Sequence, residues 1–317
     1  MKAEMKIVSD KREDQDMALA TGPQSTGHLL LIEPAEFYTN PETMDTNVYQ
    51  VDQDESPEQV FQKALGEFRG FRDMLVENGV AVTTVKGDKG CPDHLFPNWA
   101  STHTGGQMVL YPMLNDNRRR ERSPEMIAFF KRFYDVAFDF SDFEHKNQFL
   151  ESTGSLCLDR VNGVAYAALS DRTTEDLARL WSERTGYDVV IFETESHTGK
   201  PVYHTDLVMW IGTEVAAVCS ACIKEEYRED VLSRLRQTHE VIELGMDELN
   251  AFCGNSLEVL NEQGDRMLVM SDMAYAALSD ELKKRLDPFF TKLLHAPIPT
   301  IEKYGGGSAR CLIMEMF

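Results

Sequence analysis

A period of 52 to 59 residues runs through most of this 317-residue chain, and a repeat constrains the fold more than any other feature of the sequence. Five short apolar runs follow stretches with helical spacing of apolar residues, and these runs are predicted to be strands. The last run is PTIEKY, which follows the predicted helix SDELKKRLDPFFTKLLHA. The runs start 55, 53, 52 and 59 residues apart, at Val80, Asp135, Asp188, Glu240 and Pro299.

Each repeat also contains a pair of apolar runs typical of a hairpin, and two of these pairs share the string YAALSD, at 166–171 and 275–280. The repeat predicts one α/β domain of five similar ββαβ units over residues 21–317, rather than the two domains that length alone suggests. The run CLIMEM from Cys311 is predicted to be a buried strand that closes the ring against the N-terminal strand GHLLLIEP. Residues 1–20 are predicted to form a polar arm outside this domain.

Charge and composition exclude several classes of partner. The 53 acidic residues outnumber the 32 basic ones and give a formal net charge of −21, which argues against nucleic acid or an anionic membrane and would weakly attract a small cation. No apolar stretch approaches the roughly 18 residues of a membrane span, and the N-terminal stretch MKAEMKIVSDKREDQD lacks the apolar core of a secretory signal. The protein is therefore expected to be cytoplasmic, with its six cysteines as reduced thiols.

The repeat also predicts where function lies, because pseudosymmetric units bring equivalent loops together at one end of their common axis. Counted from the strand starts, Asn98 is at +18, Glu151 and His204 at +16, Cys253 at +13 and Cys311 at +12. These loops would place an amide, a carboxylate, an imidazole and two thiols around one mouth.

The residue types at this mouth are typical of nucleophilic catalysis. A cysteine is a useful nucleophile only as the thiolate, which needs a base or a positive neighbour. His204 is the candidate base for Cys311, and Glu151 is placed to orient the imidazole. Asp206 follows His204 by two residues on an extended segment and so points to the same side. A further acid does not help to form a thiolate, but it suits a cationic substrate, because a buried guanidinium needs a counter-charge.

Four motifs make the chain resemble the guanidine-modifying enzymes, or pentein superfamily, from about Leu29 to Phe317. GGGSARC resembles the glycine-rich nucleophile loop of that family, YHTD its His-x-Asp motif, and LESTGS its glutamate loop. The stretch FPNWASTHTGGQMVLYPMLNDNRRRER, with YTNPETMDTNVYQ, is most similar to the bacterial branch of citrulline hydrolases and amidinotransferase-like proteins, near the arginine deiminases and dihydrolases. The resemblance implies a five-fold pseudosymmetric α/β propeller.

The resemblance also implies a reaction. It is hydrolysis of a carbon–nitrogen bond in a guanidino or ureido group, through a covalent adduct and without a metal or organic cofactor. The implied roles are nucleophile for Cys311, acid and base for His204, orienting carboxylate for Glu151 and guanidinium partner for Asp206.

One departure from the family pattern bears on the substrate. Where deiminases carry Phe-Thr-Arg-Asp this chain has FPNW, so the second guanidinium carboxylate is missing or is replaced by Asn98. An amide suits a neutral ureido group, whereas Asp206 suits a guanidinium, and the choice between arginine and citrulline stays open. One arginine of RRRER, Arg118 or Arg119, is the candidate for binding the substrate α-carboxylate.

Two other functions stay open beside hydrolysis. The first is transfer of the amidino group to an amine, and the second is a non-catalytic binding role on the same fold. The expected partner is a small-molecule substrate, namely arginine, citrulline or a related guanidino or ureido compound. The oligomeric state stays open, a homo-oligomer included.

Two cysteine positions and one polar segment are given no role in the reaction itself. Cys219 and Cys222 lie in VAAVCSACI, whose small apolar residues predict a buried strand rather than a redox or zinc site. Cys253 reaches a mouth loop but lacks a glycine run, and it is expected to pack in the core. The acidic and polar segment 35–56 is a candidate lid over the mouth.

Overall fold

The fold is a mixed α/β arrangement of short strands and helices, seen in a computed structural model that describes residues 18–19, 21–52 and 54–317. The strands of these described residues are β1 His28–Glu33, β2 Ala81–Lys86, β3 Ala100–His103, β4 Gln107–Leu110, β5 Asp135–Asp139, β6 Cys157–Asp159, β7 Val164–Leu169, β8 Asp188–Glu193, β9 Met209–Ile211, β10 Val215–Val218, β11 Glu240–Glu243, β12 Leu257–Leu260, β13 Arg266–Ser271, β14 Lys292–Ala296 and β15 Met314–Glu315. The helices are α1 Pro57–Glu77, α2 Asp116–Arg119, α3 Pro124–Phe130, α4 Ser152–Ser155, α5 Glu175–Thr185, α6 Thr205–Val208, α7 Glu225–Arg236, α8 Met246–Asn250, α9 Asp272–Ala277, α10 Asp280–Leu286 and α11 Pro299–Gly305.

The described strands form five three-stranded sheets with one shared topology. Their orders are β15-β1-β2, β3-β4-β5, β6-β7-β8, β9-β10-β11 and β12-β13-β14. In every sheet the middle strand is antiparallel to the first strand and parallel to the third. A parallel pair needs a crossover connection, which is usually helical, and α1, α3, α5, α7 and α10 lie in these connections.

The longest crossover helix, α1, follows directly from its sequence. Ser56 caps its N-terminus in a capping box with Gln59, and Pro57 occupies the first turn, where its missing N–H has no partner to lose. Its fully buried side chains include Val60, Ala64 and Phe68, at helical spacing. They join Leu29 and Leu31 of β1 in one hydrophobic cluster, so this helix packs over the first sheet.

The predicted fifth strand is wrong. PTIEKY forms helix α11, and the strand is the preceding run at Lys292–Ala296, which pairs in parallel with β13. Pro299 fits the first turn of a helix, and the Glu67 carboxylate accepts hydrogen bonds from the backbone N–H groups of Thr300 and Ile301. With this correction the third strands start at residues 81, 135, 188, 240 and 292, only 54, 53, 52 and 52 residues apart.

The two copies of YAALSD do not occupy equivalent positions. Residues 166–169 of the first copy belong to the middle strand β7, whereas the second copy begins in helix α9. Ser271 starts that helix by accepting a hydrogen bond from the N–H of Ala274. A string of six residues with two alanines is compatible with either structure, and the neighbouring strand or cap decides between them.

The C-terminal run is only partly a strand. Cys311 lies in a 3-10 turn, Arg310–Leu312, and the strand β15 begins at Met314. The predicted pairing with the N-terminal strand is confirmed, since β15 is antiparallel to β1 with Leu30 opposite Met314. The nucleophile candidate therefore lies just before the last strand of the chain.

Two other predictions concern the edges of the domain and the cysteine pair. Most of the predicted arm, residues 1–17 and 20, lies outside the described residues, but Leu19 is buried and donates its N–H to Thr185. Cys219 and Cys222 are both buried, but neither lies in a strand, since Cys219 precedes and Cys222 ends the 3-10 turn Ser220–Cys222 after β10. Among the described residues, no helix combines the length and apolar character needed to cross a bilayer.

Candidate active site

The glycine-rich loop after α11 brings the backbone close to Cys311 and to Asn47. Gly306 has φ +61°, and a Cβ there would lie 2.6 Å from Asn47 Nδ2. A Cβ on Gly307 would lie 3.3 Å from Cys311 Sγ. Gly306 thus combines a left-handed backbone with an approach to Asn47 that leaves no room for a side chain.

Cys311 is held by two side chains from other parts of the chain. Asn255 accepts a hydrogen bond from the Cys311 N–H at 3.3 Å and donates one from Nδ2 to Sγ at 3.1 Å. The second neighbour is Asp206, whose Oδ2 lies 3.4 Å from Sγ. Burial, and after it the Asp206 carboxylate, raises the pKa of the Cys311 thiol well above its ordinary value. The thiol is therefore protonated at neutral pH in this arrangement.

Asp206 has one oxygen with no partner. No described residue donates a hydrogen bond to its Oδ1, although the side chain is buried. Burial raises the pKa of this carboxyl, against the opposing effects of His204 and Arg310. A buried carboxylate oxygen of this kind is costly unless a ligand supplies a donor.

His204 and Glu151 form a buried pair. His204 Nε2 lies 2.8 Å from Glu151 Oε2, while Glu151 Oε1 accepts the N–H of Leu114. Burial alone would raise the pKa of Glu151, but the Arg172 guanidinium and the hydrogen bond from His204 lower it to about 2. Because an ionised carboxylate only accepts, Nε2 carries a proton and donates it to Glu151.

The glutamate loop is shaped to fit this imidazole. A Cβ on Gly154 would lie 2.6 Å from His204 Nδ1, so the backbone of α4 packs directly against the ring. Tyr203 packs against the ring as well, with centroids 4.7 Å apart, and its hydroxyl donates to the carbonyl of Gly306 at 2.6 Å. The histidine segment is thus tied to the nucleophile loop.

A narrow polar cavity lies between these elements. Its lining is formed by Asn47, Asp93, Phe96, Asn98, Arg118, Arg172, Tyr203, His204, Gly305 and Gly307. Its free volume is about 10 Å³, close to the space that one water molecule requires. A substrate of the size of an amino acid can enter only if part of the lining moves.

The segment 37–51, here called the covering segment, closes this cavity through its side chains. Asn40 donates to Asp93 Oδ2 at 2.7 Å, and Asn47 donates to the carbonyl of Gly305 at 3.1 Å. Thr46 accepts a hydrogen bond from the Arg172 guanidinium at 3.0 Å. The covering segment therefore contacts three different parts of the cavity wall.

The predicted arginines lie in different places. Arg118 is buried in the cavity wall, where Glu121 and the carbonyl of Phe96 accept its hydrogen bonds, and no described residue accepts one from its Nη1. Arg119 is not brought to the cavity, because its guanidinium binds the carbonyls of Met113 and Leu114. Of the two, only Arg118 can face a substrate in this arrangement.

Three residues of the site were not predicted from the sequence. Asp93 lines the cavity, and no described residue donates to its buried Oδ1. Arg172 faces Glu151 at 3.6 Å, and Asn255 holds the cysteine. Asn255 lies in the mouth loop FCGNS, so the repeat could have indicated it, whereas no local pattern singles out the other two.

Cys253 does not reach the cavity lining. It is buried and its thiol donates to the carbonyl of Ala274 at 3.4 Å. Burial, followed by the Glu248 carboxylate, raises its pKa to about 12. These contacts agree with the expected packing role.

The five like sheets and this set of cysteine, histidine and carboxylates define the class of the pentein guanidine-modifying enzymes. More specifically, the chain belongs to the N,N-dimethylarginine dimethylhydrolase family, because the family described as "N,N dimethylarginine dimethylhydrolase, eukaryotic" matches residues 33–317. No curated protein sequence matches the chain.

Solved structures share the fold at low sequence identity. Unliganded AgrE is 19% identical with a TM-score of 0.72, over 92% of this chain and 39% of that one. The substrate-bound N-terminal domain of ArgZ, an arginine dihydrolase from cyanobacteria, is 18% identical with a TM-score of 0.70, over 91% and 97%. A citrulline complex of DDAH from Pseudomonas aeruginosa is 16% identical with a TM-score of 0.66, over 95% and 100%. This chain spans only 40% of the longer ArgZ chain.

Proposed function

We propose that this protein is a cysteine-dependent hydrolase of the guanidino group of arginine or an arginine-like compound. The observation that carries the proposal is the Asp206 carboxylate, which lies beside Cys311 Sγ and has a buried oxygen without a described donor. A guanidinium would supply that donor and a counter-charge, and it would place its central carbon next to the thiol. The names of ArgZ and of DDAH, an arginine dihydrolase and a dimethylarginine hydrolase, support the same substrate class.

The proposed reaction has two steps. In the first, Cys311 gives its proton to His204, the thiolate bonds to the central carbon, and the bond to a terminal nitrogen breaks as His204 protonates that nitrogen. In the second, a water gives a proton to His204 and bonds to the same carbon, the carbon–sulfur bond breaks, and the thiol recovers its proton. Net, a guanidinium and water give a ureido group and ammonium.

A cationic substrate also explains how the thiolate forms. In the free protein burial and Asp206 both keep the thiol protonated. A guanidinium bound between Asp206 and Sγ would neutralise the carboxylate and favour the thiolate through its positive charge. Nucleophile activation would therefore depend on the substrate being present.

Citrulline is the second candidate substrate. Asn98 lines the cavity, and its side-chain amide has no hydrogen-bond partner among the described residues, so it could donate to a ureido oxygen.

At the other end of either substrate, Arg118 and Arg172 are proposed to bind the α-carboxylate. Both arginines belong to the lining of the same cavity.

The same proposal extends to the arrangement of the sheets. We infer that residues 21–317 form one domain in which the five sheets are the blades of a closed α/β propeller around the site. Contacts between the first strands support this arrangement, since β15 packs against β3, β6 against β9, and β9 against β12. Thr102 adds a hydrogen bond from β3 to the carbonyl of Glu315 at 2.6 Å.

The decisive experiment follows ammonium release by the purified protein from L-arginine, L-citrulline and agmatine, with Cys311→Ser as the control. We expect release from at least one substrate and a loss of at least about 1,000-fold in kcat in the variant. Turnover that appears only when an acceptor amine such as glycine is added would indicate amidino transfer instead. Binding without turnover in the intact protein would indicate the non-catalytic role.

A further inference from the structure

The side-chain amide of Asn255 makes three hydrogen bonds around the nucleophile. Its Oδ1 accepts the N–H of Cys311 at 3.3 Å, while its Nδ2 donates to the carbonyl of Asp206 at 2.9 Å and to Cys311 Sγ at 3.1 Å. Because a backbone N–H only donates and a carbonyl only accepts, these two backbone partners fix which end of the amide is the donor. One hydrogen of Nδ2 is used by the carbonyl, and the other therefore faces the sulfur.

The loop of Asn255 is shaped to bring the amide to this place. A Cβ on Gly254 would lie 2.1 Å from the carbonyl oxygen of Leu207, so the loop backbone packs directly on helix α6, which also carries Asp206. The Asn255 carbonyl accepts the N–H of Arg310 at 3.2 Å. Since Asn255 is also fully buried, its donor is fixed in position before a substrate binds.

The surroundings of the sulfur contain donors as well as an opposing carboxylate. The backbone N–H of Ser308 and the Asn255 amide both lower the pKa of the Cys311 thiol, against the larger effects of burial and of Asp206, which raise it. A hydrogen bond to an ionised group is stronger than one to a neutral group. The bond from Asn255 therefore gains strength at the moment when the thiol loses its proton.

We infer that Asn255 is a further catalytic residue, whose amide stabilises the Cys311 thiolate through a hydrogen bond to the sulfur. The inference rests on the proposed function, in which the sulfur becomes negative when the thiol gives its proton to His204 and again when the carbon–sulfur bond breaks. The amide neither gives nor takes a proton in these steps. A bound guanidinium neutralises Asp206, and Asn255 supplies the donor that the thiolate needs besides that cation.

The test measures the rate at which iodoacetamide alkylates Cys311 in the substrate-free protein, at several pH values from neutral upwards. Trypsin cleaves after Arg310, so the peptide of residues 311–317 contains this cysteine alone and reports it in mass spectrometry. In Asn255→Ala the pKa of the thiol should rise, so the thiolate fraction at each pH below it falls and alkylation becomes at least about 3-fold slower. Asn250→Ala, a change at an exposed asparagine of helix α8, is the matched control and should leave the rate unchanged.

The direction of the change distinguishes stabilisation of the thiolate from mere packing. If Asn255 only restrained the loop, its loss would free Cys311 and alkylation would become faster. Faster or unchanged alkylation in Asn255→Ala would therefore overturn this inference and leave the proposed hydrolase intact. If circular dichroism shows that this variant does not fold, Asn255→Ser, which keeps a polar group but removes the amide donor, is measured in its place with the same expectation.

Turnover gives the second measurement. In Asn255→Ala the kcat for the preferred substrate should fall at least about 10-fold while KM changes less than about 3-fold, because the hydrogen bond is made to the reacting sulfur and not to the substrate. An unchanged kcat would overturn the catalytic role of Asn255. If the intact protein releases ammonium from no substrate, the proposed function fails, whereas slower alkylation in Asn255→Ala would still support the hydrogen bond to the thiolate.

Discussion

At the scale of single residues, the site combines a buried thiol with a carboxylate that opposes the ionisation of that thiol. Cys311 and Asp206 are both buried and lie 3.4 Å apart, so a thiolate would face a negative charge in a poorly solvated place. This arrangement is unfavourable for an empty nucleophilic site and favourable for one that is completed by a cation. A substitution that removes the carboxylate charge should therefore raise the reactivity of Cys311 and at the same time lower turnover.

Asp206→Asn should make Cys311 more reactive while it abolishes turnover. The carboxylate is the second cause, after burial, of the raised pKa of Cys311, so its neutralisation lowers that pKa and increases the thiolate fraction at any pH below it. Alkylation of Cys311 by iodoacetamide, followed by mass spectrometry between pH 6 and 9, should become several-fold faster. At the same time kcat/KM for arginine should fall by about 100-fold or more, because the guanidinium loses its buried partner.

Faster alkylation together with a lower kcat/KM distinguishes this electrostatic effect from damage to the fold. A variant that merely misfolded would expose the other buried cysteines as well, and labelling would not be confined to Cys311. Asp171→Asn is the matched control and should change neither rate. Unchanged or slower alkylation of Cys311 in Asp206→Asn would contradict the electrostatic role given to this carboxylate.

At the scale of elements, short connections rather than the sheets carry the site. Glu151 precedes the four-residue helix α4, His204 precedes α6, and Cys311 lies in a single 3-10 turn. The strands and the crossover helices hold these connections in place. Changes on the outer helices should therefore alter stability without altering catalysis.

Gly66→Ala in the middle of α1 should stabilise the protein by about 0.5–1 kcal/mol, because glycine is a poor helix former. A Cβ at this position meets no atom within 4 Å, so nothing opposes the gain. Urea unfolding should show a higher midpoint with kcat/KM unchanged.

Gly90→Ala is the matched control for that helix substitution. A Cβ there is equally free of neighbours, but its φ of +80° strains any residue with a side chain, so the substitution should destabilise by about 1 kcal/mol. Destabilisation by Gly66→Ala would contradict the expectation that Gly66 lowers stability through its poor helix propensity alone.

At the scale of the whole molecule, a buried ion cluster ties the last strand to a turn in the middle of the chain. Glu315 lies 3.0 Å from Arg310 Nη2 and 3.5 Å from Arg160 Nη2, and all three side chains are buried. One carboxylate thus links the turn that carries Cys311 to the turn after β6. Its loss would leave two buried guanidinium groups without their shared partner.

Glu315→Ala should therefore lower the free energy of unfolding by about 3–5 kcal/mol, the usual cost of breaking a buried pair. Glu175→Ala removes the exposed partner of Arg179 and should change that free energy by no more than about 0.5 kcal/mol. Urea denaturation followed by circular dichroism measures both values. Equal effects of the two substitutions would show that the cluster does not hold the last strand to the turn after β6.

The sequence by itself determined the repeat and the residues that carry the strongest local signals. The motifs GGGSARC, YHTD and LESTGS were sufficient to select Cys311, His204, Asp206 and Glu151 as candidates. Two of the motifs join a reactive side chain to glycines that let other groups approach closely, and YHTD places an imidazole and a carboxylate two residues apart. The pairing of the last strand with the first was also predictable, because both are apolar runs at the ends of a periodic chain.

Only the tertiary structure decided the rest. Asp93 comes before Asn98 in an irregular stretch, and Arg172 lies in a turn, so neither has a spacing that predicts its place in the cavity. The two copies of YAALSD became a strand and a helix, because local preference is weak where neighbouring strands and caps supply most of the hydrogen bonds. Periodicity and motifs are properties of neighbouring residues along the chain, whereas the partners of a buried charge are set by packing between distant segments.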